Sequence, residues 1–247
     1  MDTKKVLELM SKGDWDQKLI DIYVDVEQLQ YQRKRYANAI MKFCELYGNG
    51  DIQIFSAPGR SEVGGNHTDH QNGKVLACAI NKDAIGIVKK SEAEEVRIVS
   101  DDGNEIVVDI TDLAIREQDK GSTLALIKGV LAGFYERGYK IGGFSAYITS
   151  DVLIGSGVSS SAAFETLIGT ILSGLYNGMT ISAVEIAMIG QYAENIYFGK
   201  PCGLMDQMAC SIGNLAYIDF LNPKKPYVEK VAFDLEKHGY SLCITDT

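Results

Sequence analysis

The sequence predicts a globular fold that mixes α-helices and β-strands. Apolar residues recur at three- and four-residue spacing between residues 164 and 175, which indicates a buried helix. Short β-prone runs at 84–88, 96–100, 105–110 and 144–148 indicate strands. Of the 247 residues, 46% are hydrophobic and 23% are charged, a composition typical of a soluble chain that buries a core.

Composition and charge narrow the classes of partner. The formal net charge of −9 disfavours nucleic acid or an anionic membrane as the main partner. The five cysteines are odd in number and form no Cys-x-x-Cys motif, which indicates reduced thiols. No apolar run approaches the length of a membrane span, and the N-terminus does not resemble a signal peptide. We therefore expect a cytoplasmic protein.

The first fifty residues are predicted to be helical. A short helix over 3–12 is capped by Thr3 and ended by Gly13-Asp14. One longer helix follows and ends near Tyr47-Gly48. Residues 33–35 (Arg-Lys-Arg) mark its solvent side. Its apolar stripe consists of Leu29, Tyr36, Ile40, Phe43 and Tyr47.

Strands and helices follow in mixed order. A strand is predicted at 52–55, an apolar run covers 75–80, and residues 101–104 supply a hairpin turn. A helix over 122–137 ends at Gly138 and precedes the strand at 144–148. Ser182 and Glu185 form a capping box that opens a further helix. Three final strands are predicted at 215–220, 228–233 and 240–245.

A glycine- and serine-rich loop lies between the 144–148 strand and the helix that follows it. It begins at Ile154, has the sequence Gly-Ser-Gly-Val-Ser-Ser-Ser over 155–161, and continues into Ala162. Free backbone N–H groups with a helix N-terminus behind them suit an anion such as a phosphate. A flexible turn with capping serines is the alternative, but one cap needs only one hydroxyl. The loop lacks the lysine of the Walker pattern and the acid of the dinucleotide fingerprint.

The segment 57–70 is rich in hydrogen-bonding groups and poor in core-forming ones. It contains Arg60, Asn66, His67, Asp69 and His70. Three interpretations stay open from the residues alone. They are an exposed turn, a metal site built on the two histidines and the aspartate, and a site for a polyol.

Two carboxylates stand out in the last third of the chain. Glu194 continues a helical stripe of small residues (Ala183, Ala187, Gly190), so it faces either a tight contact or, in the simpler interpretation, solvent. Asp206 follows a Pro- and Gly-containing segment, which places it on a rigid loop or at a helix start.

Three of these stretches together resemble the galactokinases, a branch of the GHMP small-molecule kinases. Pro58-Gly59-Arg60 through His67-Thr68-Asp69 resembles their sugar signature, and residues 155–162 resemble their ATP loop. Pro201-Cys202-Gly203-Leu204-Met205-Asp206-Gln207 resembles their catalytic-acid loop. The match runs in the family's order over about 55–219. The ATP loop alone would indicate only the superfamily.

The resemblance implies a role for each matching residue. Asp206 would accept the proton of the sugar hydroxyl or orient that hydroxyl. Arg60 would keep Asp206 ionised and stabilise charge on the phosphoryl group during its transfer. Ser161 and Glu194, twelve residues before Asp206, would bind Mg²⁺. The ATP phosphates would be wrapped by Gly155, Ser156, Gly157, Val158, Ser159, Ser160 and Ser161. The sugar would be bound by Arg60, Asn66, His67, Asp69, Gly203 and Asp206.

The resemblance also implies a fold and its division. The implied fold is a two-layer α+β N-terminal lobe over 51–213, with a helical extension over 1–50 and the start of a truncated C-terminal lobe over 214–247. The family's third motif and second lobe are absent, so we expect a portion of a longer protein. Departures from the pattern are Leu153 for proline, Asn66 for a sugar-binding glutamate, His70 for tyrosine, and Ser61-Glu62-Val63-Gly64 for Val-Asn-Leu-Ile.

The implied activity is ATP- and Mg²⁺-dependent phosphorylation of the anomeric hydroxyl of galactose or a related sugar. Two alternatives remain at this point. One is a kinase for N-acetylgalactosamine or another sugar. The other is a non-catalytic regulator that binds sugar and ATP, against which the presence of Arg60 and Asp206 argues.

Overall fold

The computed structural model describes residues 1–153, 155–233 and 236–243. The α-helices in these ranges are α1 (Thr3–Lys12), α2 (Asp16–Tyr23), α3 (Leu29–Tyr47), α4 (Thr123–Glu136), α5 (Ser160–Tyr176), α6 (Ala183–Tyr192) and α7 (Met205–Ile212). A π-helical turn, Ala193–Phe198, continues α6. The strands are β1 (Gln53–Gly64), β2 (Lys74–Lys90), β3 (Glu95–Ser100), β4 (Glu105–Asp109), β5 (Phe144–Ser150), β6 (Leu215–Asp219) and β7 (Tyr227–Val231).

One mixed sheet contains all of these strands, in the order β4-β3-β5-β2-β6-β7 with β1 also paired to β2. β2 is the central strand, because its first half pairs with β6, its second half with β5, and its other edge with β1. β3 and β5 run parallel, and the other pairs are antiparallel. The 214–247 segment therefore begins within the same sheet, and the lobe boundary at 214 stays a prediction.

Helices cover both faces of the sheet. Side chains alternate along β2, so Ile85 and Ile87 pack against the N-terminal helices, whereas Ala84 and Val88 pack against α4 and α5. The first of these cores is extended by Tyr36, Ile40 and Phe43 of α3. The predicted α+β lobe is confirmed, and its helical extension forms a further layer on the outer face of the sheet.

A buried polar cluster attaches this extension to the sheet. Arg35 of α3 donates to the Asp83 carboxylate of β2 (Nη1 to Oδ1, 2.6 Å) and to the Asp83 carbonyl oxygen (2.8 Å). Tyr23 donates to the same carboxylate at 2.9 Å. Arg35 Nη1 also lies 3.3 Å from Asp151, the residue that leads from β5 into the serine-rich loop. The outer helices are thus connected to the start of that loop.

The N-terminal helices differ from the prediction in three ways. Asp2, not Thr3, caps α1 by accepting from the Lys4 N–H. The predicted long helix is two helices, since Val24 adopts a left-handed conformation (φ 64°) that ends α2. Arg35 is 8% exposed rather than solvated, because Asp83 and Asp151 neutralise its charge inside the fold.

The strands also differ from the prediction at three places. β1 extends from the predicted 52–55 strand through the polar segment to Gly64, because that segment pairs with β2. The runs at 75–80 and 84–88 form one strand. Residues 240–243, part of a predicted strand at 240–245, are irregular and exposed. The remainder of that prediction falls on 244–245, which, like Ile154, lie outside the described residues.

Candidate active site

The serine-rich loop is held in a defined shape against β1. Gly155, Gly157 and Ser159 have positive φ values of 81°, 75° and 61°, a conformation that glycine adopts without steric cost. The Val158 carbonyl oxygen accepts the Arg60 backbone N–H at 3.1 Å. A Cβ at Gly59 would lie 2.8 Å from that oxygen, so only glycine fits where β1 passes the loop. The loop is therefore packed on the sheet, with the N-terminus of α5 directly behind it.

Arg60 joins three of the sequence-predicted elements. Its Nε donates to Asp206 Oδ1 at 2.8 Å, and Nη2 lies 2.8 Å from the same oxygen. Its Nη1 donates to the Gly157 carbonyl oxygen at 2.7 Å. The second Asp206 oxygen accepts the Ser159 hydroxyl. Arg60 is 7% exposed, so a largely desolvated cation links β1, the serine-rich loop and the first turn of α7.

Asp69 and Gly203 are in close contact beside this pair. Asp69 is buried and accepts the Met205 backbone N–H at 2.9 Å, at the start of α7. A Cβ at Gly203 would lie 1.8 Å from Asp69 Oδ2, so this position requires glycine. A cavity of about 210 Å³ opens here, and its walls include Asp69, His70, Gln191, Cys202 and Gly203.

The other two predicted sugar residues lie on an exposed turn. Asn66 and His67 are both left-handed, with φ values of 59° and 52°. The His67 backbone N–H donates to the Glu62 carboxylate at 3.0 Å, and its ring lies 3.5 Å from Glu62. The structure brings neither side chain to Asp206 or Asp69, in contrast to Arg60 and Gly203.

Ser161 and Glu194 provide oxygen atoms suited to a hard cation. Ser161 Oγ lies 3.4 Å from Glu194 Oε1, and Glu194 is only 3% exposed, which decides between the two interpretations in favour of a tight contact. Mg²⁺ is commonly held by one or two protein oxygens together with substrate phosphates. This pair fits such a site. Among the described residues, no group of three or more His, Cys, Asp or Glu side chains could hold a metal ion.

Two interior residues that sequence reasoning missed lie behind Glu194. Gln207 Nε2 donates to Glu194 Oε2 at 2.8 Å and to Glu165 Oε2 at 3.1 Å. Burial, followed by the neighbouring Glu194 carboxylate, raises the pKa of Glu165 well above its usual value. The available signal was a lone charged residue within the apolar period of α5.

A larger cavity of about 450 Å³ lies between α3 and the outer face of the sheet, and its walls contain none of the predicted site residues. Across the part of the chain that the structure describes, no helix is both long and apolar enough to cross a membrane.

Sequence models of two families match the chain. The galactokinase galactose-binding signature matches residues 41–90, and the N-terminal domain of GHMP kinases matches residues 125–214. The galactokinase of Streptomyces coelicolor is 33% identical over 208 residues, covering 83% of this chain and 53% of that protein. The galactokinase of Pyrococcus furiosus is 36% identical over 177 residues, covering 72% and 49%. The chain thus spans about half the length of these curated relatives.

Solved structures show the same likeness. The crystal structure of Lactococcus lactis galactokinase complexed with galactose matches with a TM-score of 0.70 and 27% identity, over 79% of this chain and 51% of that one. The Methanococcus jannaschii mevalonate kinase matches with a TM-score of 0.60 and 20% identity, over 76% and 58%. The second likeness concerns the fold alone.

Proposed function

Since the chain belongs to the galactokinase branch of the GHMP kinases, we propose that the whole protein phosphorylates the anomeric hydroxyl of galactose or a close relative with ATP. One observation carries the proposal. Arg60 connects the carboxylate of Asp206 to the carbonyl of Gly157, and so connects a hydroxyl acceptor to the phosphate-binding loop.

Positioning and charge stabilisation supply most of the catalysis in phosphoryl transfer. Asp206 would accept a hydrogen bond from the reacting hydroxyl and so orient it. The Ser159 hydroxyl donates to the second carboxylate oxygen of Asp206. Arg60 would fix the direction of that carboxylate and place a positive charge beside the phosphoryl group in transit. The backbone N–H groups of residues 155–161 would bind the ATP phosphates.

Sugar recognition would involve the cavity beside Asp69 and Gly203. A buried carboxylate such as Asp69 accepts strong hydrogen bonds from hydroxyls. Asn66 and His67, on the exposed turn, would approach the sugar from the solvent side. We also propose that a second lobe closes the cleft and excludes water, since the chain spans about half of its relatives.

Ser161 and Glu194 would hold Mg²⁺, which would neutralise charge on the phosphate oxygens. Gln207 would support this site from behind by donating to Glu194. A sugar kinase with another specificity remains the second candidate, favoured by Asn66 in place of the glutamate usual in galactokinases.

The experiment is sugar-dependent ATP consumption by the full-length protein, across galactose, N-acetylgalactosamine and other hexoses. Asp206→Asn should keep sugar binding but lose turnover by about two orders of magnitude or more. Asp219→Asn is the matched control, since Asp219, at the end of β6, forms an ion pair with Lys74 at the start of β2. Near-normal turnover of Asp206→Asn would contradict the assignment. Sugar binding without turnover of any sugar by the unmodified protein would identify a sensor instead.

A further inference from the structure

A lysine that the proposed function does not use lies at the candidate metal site. Lys200 Nζ is 3.5 Å from Glu194 Oε1, the same oxygen that Ser161 Oγ approaches at 3.4 Å. The Lys200 side chain is 65% exposed, whereas that of Glu194 is 4% exposed. The ammonium therefore covers the solvent side of a buried carboxylate, beside the first turn of α5.

The backbone of Lys200 is fixed although its side chain is not. The Lys200 N–H donates to the Glu194 carbonyl oxygen at 3.1 Å. Gly199 before it is left-handed (φ 84°) and ends the π-helical turn, and Pro201 restricts the chain after it. A long flexible side chain on a fixed Cα can exchange one partner for another without moving the fold.

The contact with Glu194 is easily exchanged. Water reaches the exposed Lys200 ammonium and screens its attraction to Glu194, so the pair separates at low cost. Glu194 also keeps its hydrogen bond from Gln207 on its other oxygen when Lys200 leaves. A divalent cation at Glu194 Oε1 would repel the ammonium and take its place.

The charges nearby determine where the displaced ammonium would go. Glu165 lies within electrostatic range of Lys200 but is sealed in the interior. The Asp206 carboxylate is already paired with Arg60, which also donates to the Gly157 carbonyl oxygen. Glu117, close to this segment, is paired with Lys120, which packs on Gly199. Nucleotide phosphates on the serine-rich loop would supply further anions here, and a strongly hydrated, mobile ammonium suits them.

We propose that Lys200 competes with the divalent metal for Glu194 and, once displaced, binds the phosphates of the nucleotide. This inference rests on the proposed nucleotide site. Without metal, the Lys200 ammonium pairs with Glu194; with metal bound, it binds the nucleotide phosphates. Removing the Lys200 charge should therefore strengthen metal binding and weaken nucleotide binding.

The test compares full-length wild-type protein with Lys200→Met and with Lys200→Arg, which keeps the charge. Binding of Mn²⁺ to the nucleotide-free protein is followed by electron paramagnetic resonance. Binding of a non-hydrolysable ATP analogue at saturating Mg²⁺ is followed by calorimetry. For Lys200→Met we expect Mn²⁺ to bind more tightly and the analogue more weakly, each by up to about fivefold. Lys200→Arg should stay near wild type in both.

Structural damage would weaken the binding of both ligands. Tighter Mn²⁺ binding together with weaker analogue binding therefore identifies the exchange of Lys200 between the two sites. The inference is overturned if Lys200→Met changes the affinities for Mn²⁺ and for the analogue in the same direction. It is also overturned if Lys200→Met and the wild-type protein bind both ligands equally well, or if neither protein binds Mn²⁺ detectably. If the wild-type protein fails to bind the analogue at all, the proposed function fails first. Normal wild-type binding with an unaffected Lys200→Met overturns this inference alone.

Discussion

Replacing Gly203 with alanine tests the contact between Gly203 and Asp69, which joins the proposed sugar cavity to the start of α7. An alanine Cβ at this position would lie 1.8 Å from Asp69 Oδ2 and 2.4 Å from its Cγ, where ordinary contact begins at 3.4 Å. The carboxylate must therefore move. Its hydrogen bond to the Met205 N–H, 2.9 Å long and buried, is then lost.

The expected cost follows from that bond. A buried N–H that loses a charged acceptor costs about 1.5–3 kcal/mol. Gly203 is not in the left-handed region, so backbone strain adds nothing to this figure. Asp206 lies one residue beyond Met205, and displacement of this turn should also weaken sugar binding.

The free energy of unfolding from urea titration measures the first effect, and the galactose Kd of the full-length protein measures the second. Gly64→Ala is the matched control. It lies at the end of β1, and a Cβ there would meet nothing within 4 Å. If Gly203→Ala were within about 0.5 kcal/mol of Gly64→Ala, the steric argument would be refuted.

Two further predictions concern the interior. Arg35→Met should lower the free energy of unfolding by about 3–5 kcal/mol in urea titration, since it leaves Asp83 buried without its cation; a loss no greater than that of the exposed neighbour Lys34→Met would contradict this. Glu165 has a raised pKa in the folded protein, so its stabilising contribution is present below the unfolded pKa, about 4.5, and is lost as pH rises through the folded pKa. Glu165→Gln should therefore gain thermal stability relative to wild type as pH increases, and a pH-independent difference in Tm would count against the raised pKa.

Local signals account for the elements that were predicted correctly. The 122–137 helix, the hairpin turn at 101–104 and the start of α6 depend on neighbours along the chain, such as Ser122 accepting from the Ala125 N–H. β1 was predicted too short, because its polar, glycine-rich half resembles a loop. Its strand conformation comes from pairing with β2, a contact that the local sequence does not encode.

In the candidate site, too, features set by neighbours along the chain were predictable, whereas contacts between distant segments were not. The burial of Glu194 was predictable from the small residues one and two turns before it, and Gly190 does contact α5 and α7. The pairing of Arg60 with Asp206 was expected only through family resemblance. Gln207 and Glu165 escaped prediction because their hydrogen bond crosses from α7 to α5, and no spacing rule connects separate helices.

The contacts of Arg60 have a consequence for the order in which the molecule forms. They join residues 97 and 146 positions apart. Closing such long loops has an entropic cost that must be met before these contacts stabilise anything. A nascent chain that has emerged only as far as the serine-rich loop has the proposed phosphate-binding residues but not yet Asp206. We therefore expect the candidate site to be completed late in folding, and local unfolding of α7 alone to separate Asp206 from Arg60 while leaving most of the sheet intact.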